Sequence, residues 1–260
     1  MAIRQILKFG LGLAGFELKR KPTYSFEDIT PHLMKTSSPL VFDVGANRGQ
    51  SIVRYKALFP GSTIHCFEPN GDEIGRLKEI YQNDKTIVLN EVAVGAQSEV
   101  KNFFLNANSA HSSFNKLTKD TEWLKKRSKQ LNIKQESYTV ASTDVNVVTL
   151  DNYCAENKIK HIDILKIDTQ GFEEKVLLGA SDLLKKGGIS LIQLELTISE
   201  IYEAPLAIYD VEKHLVPRGY KLFGSSRSGN LLSDYIFETD HIYISGELYE
   251  TFKNQQKLAK

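Results

Sequence analysis

Short apolar runs recur along the chain, most of them followed by a polar turn and then an amphipathic stretch. Residues 40–44 (LVFDV) read as a strand, 50–58 as a helix, and 63–67 (TIHCF) as a second strand stopped by Glu68-Pro69. A helix is predicted over about 70–82, a third strand in TIVLNEVAVG, and a further one in SEVKNFFLN after the turn at Gly95. VNVVTLDNYCAEN passes from strand to helix, and IDILKID (162–168) is again a compact apolar strand. A helix over 172–179, a strand over 189–196, a helix over 207–216 and strands near 220–223 and 235–244 complete the pattern. Strands alternating with helices predict an α/β fold: a mostly parallel sheet with helices on both faces. The last two runs are too close for a helical crossover, so they are predicted to form a hairpin that gives the sheet an antiparallel C-terminal edge.

At 260 residues the chain suits one elaborated domain. The divisions expected are an N-terminal helical arm (1–37), a main domain (38–246) and a polar C-terminal tail (247–260), with 106–136 as an insert or lid. A formal net charge of +1 gives no global signal for nucleic acid. Cys66 and Cys154 are too few for a disulfide framework, and Cys66 sits in a strand-like run, which favours a reduced, intracellular protein. The start, MAIRQILKFGLGLAGFELKRK, superficially resembles a signal peptide, but Arg4 and Lys8 interrupt its apolar run and no small-residue cleavage site follows. Read as a helix, it gathers Ile3, Ile6, Leu7 and Leu11 on one side, an arm for packing on the domain or for weak contact with a membrane surface. Its uninterrupted apolar stretch is far short of a membrane span.

Candidate chemistry begins at DVGANRG. Gly45 and Gly49 permit a turn with close backbone approach to a ligand. The middle glycine of the dinucleotide fingerprint is missing, which argues against a pyrophosphate, and no Lys-Ser/Thr follows to make a P-loop. Glu68 ends the next strand, where an acid accepts hydrogen bonds from ribose hydroxyls, and Pro69 fixes the turn that presents it. A nucleoside is therefore favoured. Asp168 closes the strand ILKID, on the same side as Lys166, where open α/β sheets place their chemistry; the plain alternative is that Asp168 or Thr169 caps the following helix. Glu195 lies within the apolar strand LIQLELTIS, where a carboxylate is costly unless paired or used.

The segments VFDVGANRGQ, FEPN, VAVG, HSSF, VVTLDNY, LKIDTQGFEEKVLLGA and LIQLEL follow one another as in the FkbM family of S-adenosylmethionine-dependent methyltransferases, which the chain resembles over about residues 38–224. The resemblance implies a Rossmann-like, seven-stranded sheet whose last strand is inserted antiparallel. It implies that Asp43, Gly45, Ala46, Asn47, Gly49 and Gln50 form the methionine-side loop of the cofactor site, with Glu68 and Pro69 at the ribose. Glu91, Val92 and Ala93 would border the adenine, and Ser112 and Ser113 would lie near the cofactor and the substrate mouth. Members of the family act largely on sugar or polyketide hydroxyls.

A hydroxyl must lose its proton as it is methylated, so a base is expected: Asp168 first, Glu195 next, and His111 for its ordinary pKa near neutrality. A divalent metal such as magnesium on Asp168 and Glu195 is a further option, not favoured, because no ligand spacing supports it. The lysine-rich stretch around Trp123 reads as a solvated helix. Folded over the site, it would hold phosphates of a nucleotide- or lipid-linked glycan acceptor, with Trp123 stacking on a sugar. The expectation is a cytoplasmic, S-adenosylmethionine-dependent O-methyltransferase acting on a sugar hydroxyl. Lipid, polyketide or RNA-ribose acceptors and an inactive nucleoside-binding module are the alternatives.

Overall fold

A computed structural model of the chain describes residues 26–34, 36–197, 199–228 and 238–258. The first 25 residues of the expected arm lie outside the described residues; its end is helix α1 (Phe26–Leu33). There follow β1 (Leu40–Val44), α2 (Gln50–Leu58), β2 (Thr63–Phe67), α3 (Gly71–Tyr81) and β3 (Ile87–Asn90). Next come β4 (Ala93–Val94), β5 (Glu99–Asn106), α4 (Glu122–Leu131), β6 (Thr139–Val148), α5 (Leu150–Glu156) and β7 (Ile162–Ile167). The chain continues through α6 (Glu173–Leu178), α7 (Ser181–Lys185), β8 (Ile189–Thr197), α8 (Ile208–Leu215), β9 (Lys221–Ser228), β10 (Glu238–Ile244) and α9 (Gly246–Leu258).

Seven strands form one sheet in the order β3-β2-β1-β7-β8-β10-β9. The hairpin β9–β10 is present as expected, but its antiparallel member is the inner one. β10 pairs antiparallel with β8 on one side and β9 on the other, so the edge strand β9 runs with the parallel set. This is the inserted last strand that the family resemblance implies. The chain leaves β8, crosses over α8 to the outer position, and returns through the gap.

Strand alternation sorts side chains onto two helix-covered faces. Phe42, Leu165, Ile192 and Leu194 pack with Leu150, Val176, Leu177 and Leu215 of α5, α6 and α8. Val41, Ile64, Ile164 and Leu191 pack on the other face with Ile52, Tyr55, Ile74 and Leu77 of α2 and α3. The tail expected from residue 247 is largely helical and joins this second face: Leu248 of α9 is buried there, with Tyr249 and Phe252 packed beside it.

The run TIVLNEVAVG, expected as one strand, is two. β3 pairs with β2, and its ladder closes where the Glu68 N–H donates to the Asn90 carbonyl and the Asn90 amide to the Cys66 carbonyl. The chain then bends, and β4 joins a separate three-stranded sheet in the order β4-β6-β5. This small sheet meets the main body where Gly179, after α6, packs on the Gly95 backbone. A Cβ at Gly179 would stand 2.0 Å from the Gly95 carbonyl oxygen. The contact is between two backbones, so neither side chain can yield. Gly179→Ala is expected to destabilise the fold by about 2 kcal/mol through overpacking, read as a lower urea midpoint at unchanged slope.

Candidate active site

The strand registers lay a row of polar side chains across the carboxyl ends of the central strands. Asp43 pairs with Lys166, and Lys166 with Gln193. Glu195, two residues further along β8, is opposite Asp240 of β10. By alternation all five, together with Asp168, lie on the face covered by α2 and α3.

Asp43 is fully buried and Lys166 nearly so. The Lys166 ammonium stands 3.2 Å from Asp43 Oδ1 and 3.3 Å from Asp168 Oδ2, and donates to the Gly45 carbonyl at 3.1 Å. Burial disfavours this charge, but Asp168 and Asp43 together outweigh it and hold Lys166 above the ordinary lysine pKa. One cation therefore ties β1, β7 and the turn after β1 together.

That turn is built on backbone contact. Gly45 has φ +84°, and a Cβ there would fall 1.9 Å from the Asp168 carbonyl oxygen. The Gly45 and Ala46 N–H groups both donate to the Phe67 carbonyl. Gly49 caps α2 with φ +80° and without a side-chain acceptor. Glu68, at the end of β2, closes the opposite side: its carboxylate accepts the Asn47 N–H and the Asn70 N–H, each at 2.8 Å. Burial pushes its pKa up to about 7, against those two donors.

After β7 the loop 168–172 is held from behind. Neither Asp168 nor Thr169 caps α6, whose first residue is preceded by Phe172 with no side-chain cap. Instead Glu173 reaches back and accepts from the Thr169 N–H, the Thr169 hydroxyl and the Gly171 N–H. Gln170, with a left-handed φ of 58°, donates its amide to Asp168 Oδ1 at 3.0 Å and Glu195 Oε1 at 3.1 Å. Glu195 is pushed up to about 9 by burial and by the charges of Asp168, Glu238 and Asp240.

Glu68, Lys166, Asp168, Gln170 and Glu195 line one cleft of about 280 Å³. Of the residues singled out in the sequence, Gly45, Ala46, Asn47, Gln50, Glu68 and Pro69 line one part of it. Ala93, Ser112, Asp168 and Glu195 line the rest. Asp43 lies beneath the floor, and Gly49 sits at the foot of α2 without facing the cleft. Glu91 is an exposed partner of Lys78 at 2.6 Å, Val92 packs against the core, and Ser113 is buried with its hydroxyl on the Gln170 carbonyl. His111 ends a short 3₁₀ turn (Ser109–His111). It is buried between Trp123 and Tyr138, with Nδ1 2.7 Å from the Tyr138 hydroxyl, and burial lowers its pKa to about 4. Trp123 belongs to the same buried cluster and is not available for stacking on a sugar. The lysines of α4 point outward, as a solvated helix predicts. Arg54, Gln193 and Asp240 also line the cleft and were not singled out from the sequence. Gln193 was within reach, sharing by alternation the side of Glu195, whereas Asp240 needed the register of the hairpin. Among the described residues no cluster of His, Cys, Asp and Glu is arranged to hold a metal ion.

The model of the methyltransferase FkbM domain matches residues 43–222, from the buried Asp43 to the start of β9. The chain belongs to the FkbM methyltransferase family. A curated member-like relative, the 2-O-methyltransferase NoeI of Sinorhizobium fredii, is 26% identical over 196 residues, covering 73% of this chain and 76% of that protein. The crystal structure of methyltransferase FkbM from Methylobacillus flagellatus KT superposes with a TM-score of 0.51 at 13% identity. The match covers 81% of this chain but only 45% of that one, so the chain spans less than half of that protein, and the likeness speaks to the fold alone. As an FkbM methyltransferase the chain is an enzyme, and its Rossmann-like sheet is the one the family resemblance implied. No described helix is long and apolar enough to cross a membrane.

The floor of this site makes a direct prediction. Lys166→Met removes the cation shared by Asp43 and Asp168 and strands a buried carboxylate. It should cost about 3 kcal/mol of stability, measured by denaturant unfolding.

Proposed function

We propose that the chain is an S-adenosylmethionine-dependent O-methyltransferase whose acceptor is a sugar hydroxyl. The observation that carries this reading is that one cleft joins a ribose-type acid, Glu68, to the carboxylate pair Asp168 and Glu195, with the turn 45–49 between them. The residues present fit the cofactor. Each Glu68 oxygen holds a single backbone donor and keeps capacity for a hydroxyl, and Asn47 Oδ1 is a buried acceptor with no partner. The uncapped first turn of α2 offers N–H groups to a carboxylate. Gly45, Ala46 and Asn47 would hold the methionine end, Glu68 the ribose, and Ala93 the edge of the base. When bound, the cofactor supplies an electrophilic methyl group on a sulfonium.

The chain's own part is to orient the acceptor and take its proton. Burial and the neighbouring carboxylates raise the Glu195 pKa and favour its protonated form, which leaves Asp168 to receive the hydroxyl proton. Lys166, 3.3 Å from Asp168 Oδ2, supplies the countercharge. The polar rim of Arg54, Gln193, Glu195 and Asp240 suits an acceptor bearing several hydroxyls. The relative's 2-O-methyl transfer supports oxygen as the acceptor atom. The main domain (38–246) contains every residue used here, and the segment 106–136 contributes to the wall of the cleft rather than standing apart from it.

Glu68→Ala should weaken S-adenosylmethionine binding by about 1–3 kcal/mol in calorimetry. Hydroxyl donors favour the ionised carboxylate, so wild-type affinity should rise as pH passes upward through about 7, and the variant should lose that dependence. Unchanged affinity would remove the ribose role. Asp168→Asn is expected to reduce transfer of labelled methyl to nucleotide sugars or glycolipids by roughly 10²–10⁴-fold while binding of the methyl donor persists. Retained turnover would dismiss Asp168 as the base.

A further inference from the structure

Gln170 is buried in the loop that carries Asp168, and its surroundings are more specific than a structural filler needs. Its amide nitrogen lies between two carboxylates, 3.0 Å from Asp168 Oδ1 and 3.1 Å from Glu195 Oε1. Its amide oxygen accepts from the Tyr202 hydroxyl at 2.9 Å, and its backbone carbonyl accepts from the Ser113 hydroxyl at 2.7 Å. The orientation of the amide follows from these neighbours, because the nitrogen is the end with donors for two acid groups. The backbone is left-handed, a conformation that a long side chain adopts only where contacts impose it.

Those contacts come from two distant segments. Tyr202 also reaches the His111 carbonyl at 3.0 Å, and it packs with Leu117, Trp123, Leu124, Tyr138 and Ile201. The backbones of 116–118 and 201–203 are joined by Thr118 N–H to Ile201 O and Glu203 N–H to Lys116 O. Asn115 donates to the Gly171 carbonyl at 2.8 Å. The insert and the loop after β8 thus form one wall that grips Gln170 from the side opposite the carboxylates.

We infer that Gln170 is a positioning residue: its amide fixes the spacing of Asp168 and Glu195, and Tyr202 and Ser113 transmit that placement from the wall formed by the insert. The inference rests on the proposed function for the use of the pair as base and proton-bearing partner. It does not rest on it for the geometry. It also gives buried His111, Trp123 and Tyr138 a place in the site, as support for the wall rather than as groups that meet the acceptor.

The test reads the acid pair itself. Glu195 faces Asp168, Glu238 and Asp240 as anions and Lys166 as a cation, and Gln170 is the neutral donor between it and Asp168. Removing a donor from a carboxylate raises its pKa. In protein labelled with ¹³C at glutamate carboxyls, the Glu195 signal is the one missing from Glu195→Gln. Its titration midpoint should move up by about one pH unit in Gln170→Met, which keeps the volume and removes the donors. Gln170→Asn, whose side chain suits a left-handed backbone but is one methylene short, should move it the same way by less. If Gln170→Met does not fold, Gln170→Asn decides. An unmoved midpoint in the folded variants overturns the inference. Calorimetry with S-adenosylmethionine on the wild-type chain separates the two readings, since failure to bind would overturn the proposed function while the titration still judged Gln170.

Discussion

The ion triad Asp43–Lys166–Asp168 is the constraint on which the remaining geometry depends. A carboxylate with no exposure beside a nearly buried ammonium is tolerable only because the two are in register on adjacent strands, within 3.2 Å. Neither charge could be buried alone without a cost of several kcal/mol. The second carboxylate, Asp168, shares the same cation at the rim of the cleft, and the Gly45 carbonyl accepts a further hydrogen bond from the ammonium. The fold therefore fixes the height at which β1 ends, the path of the glycine turn and the position of the candidate base through a single side chain.

Two supports hold the cleft from either side of this floor. On one side, Glu68 accepts from the Asn47 and Asn70 backbone amides, so the carboxylate proposed to meet a ribose also locks the turn that lies across from it. On the other side, Glu173 and Gln170 hold the loop 168–172 by hydrogen bonds to its backbone and its acid. The insert and the loop after β8 complete this second support, where Tyr202, packed among Leu117, Trp123, Leu124 and Tyr138, donates its hydroxyl to Gln170. The electrostatic asymmetry between Asp168 and Glu195 then follows from position. Asp168 has Lys166, whereas Glu195, beside it at the end of β8, faces carboxylates from β10.

The elements whose apolar pattern is local were legible almost residue by residue. β1, α2 and β2 begin and end where alternation, the glycine turn and Glu68-Pro69 say they should. The break between β3 and β4 was not legible, because nothing in TIVLNEVAVG marks the point where one half pairs with β2 and the other with β6. His111 and Trp123 were misplaced for a related reason. In a polar stretch, a buried histidine and a buried tryptophan look like surface residues until the partners that enclose them, Tyr138 and Tyr202, are brought in from far along the chain.

The sequence by itself determined the α/β succession, the turn with its missing middle glycine, the acids at the strand ends and the family to which the order of motifs belongs. These are encoded by periodicity and by residue types at short spacing, and local sterics and hydrogen bonding suffice to express them. Only the tertiary structure decided which of these groups share a cleft. It put Asp43 below the floor, set Asp240 opposite Glu195 and gave Gln170 its place between the two acids. Each of those facts is a contact across strand registers or between remote loops, where the burial that shifts a pKa or pairs a charge exists only once the sheet has closed.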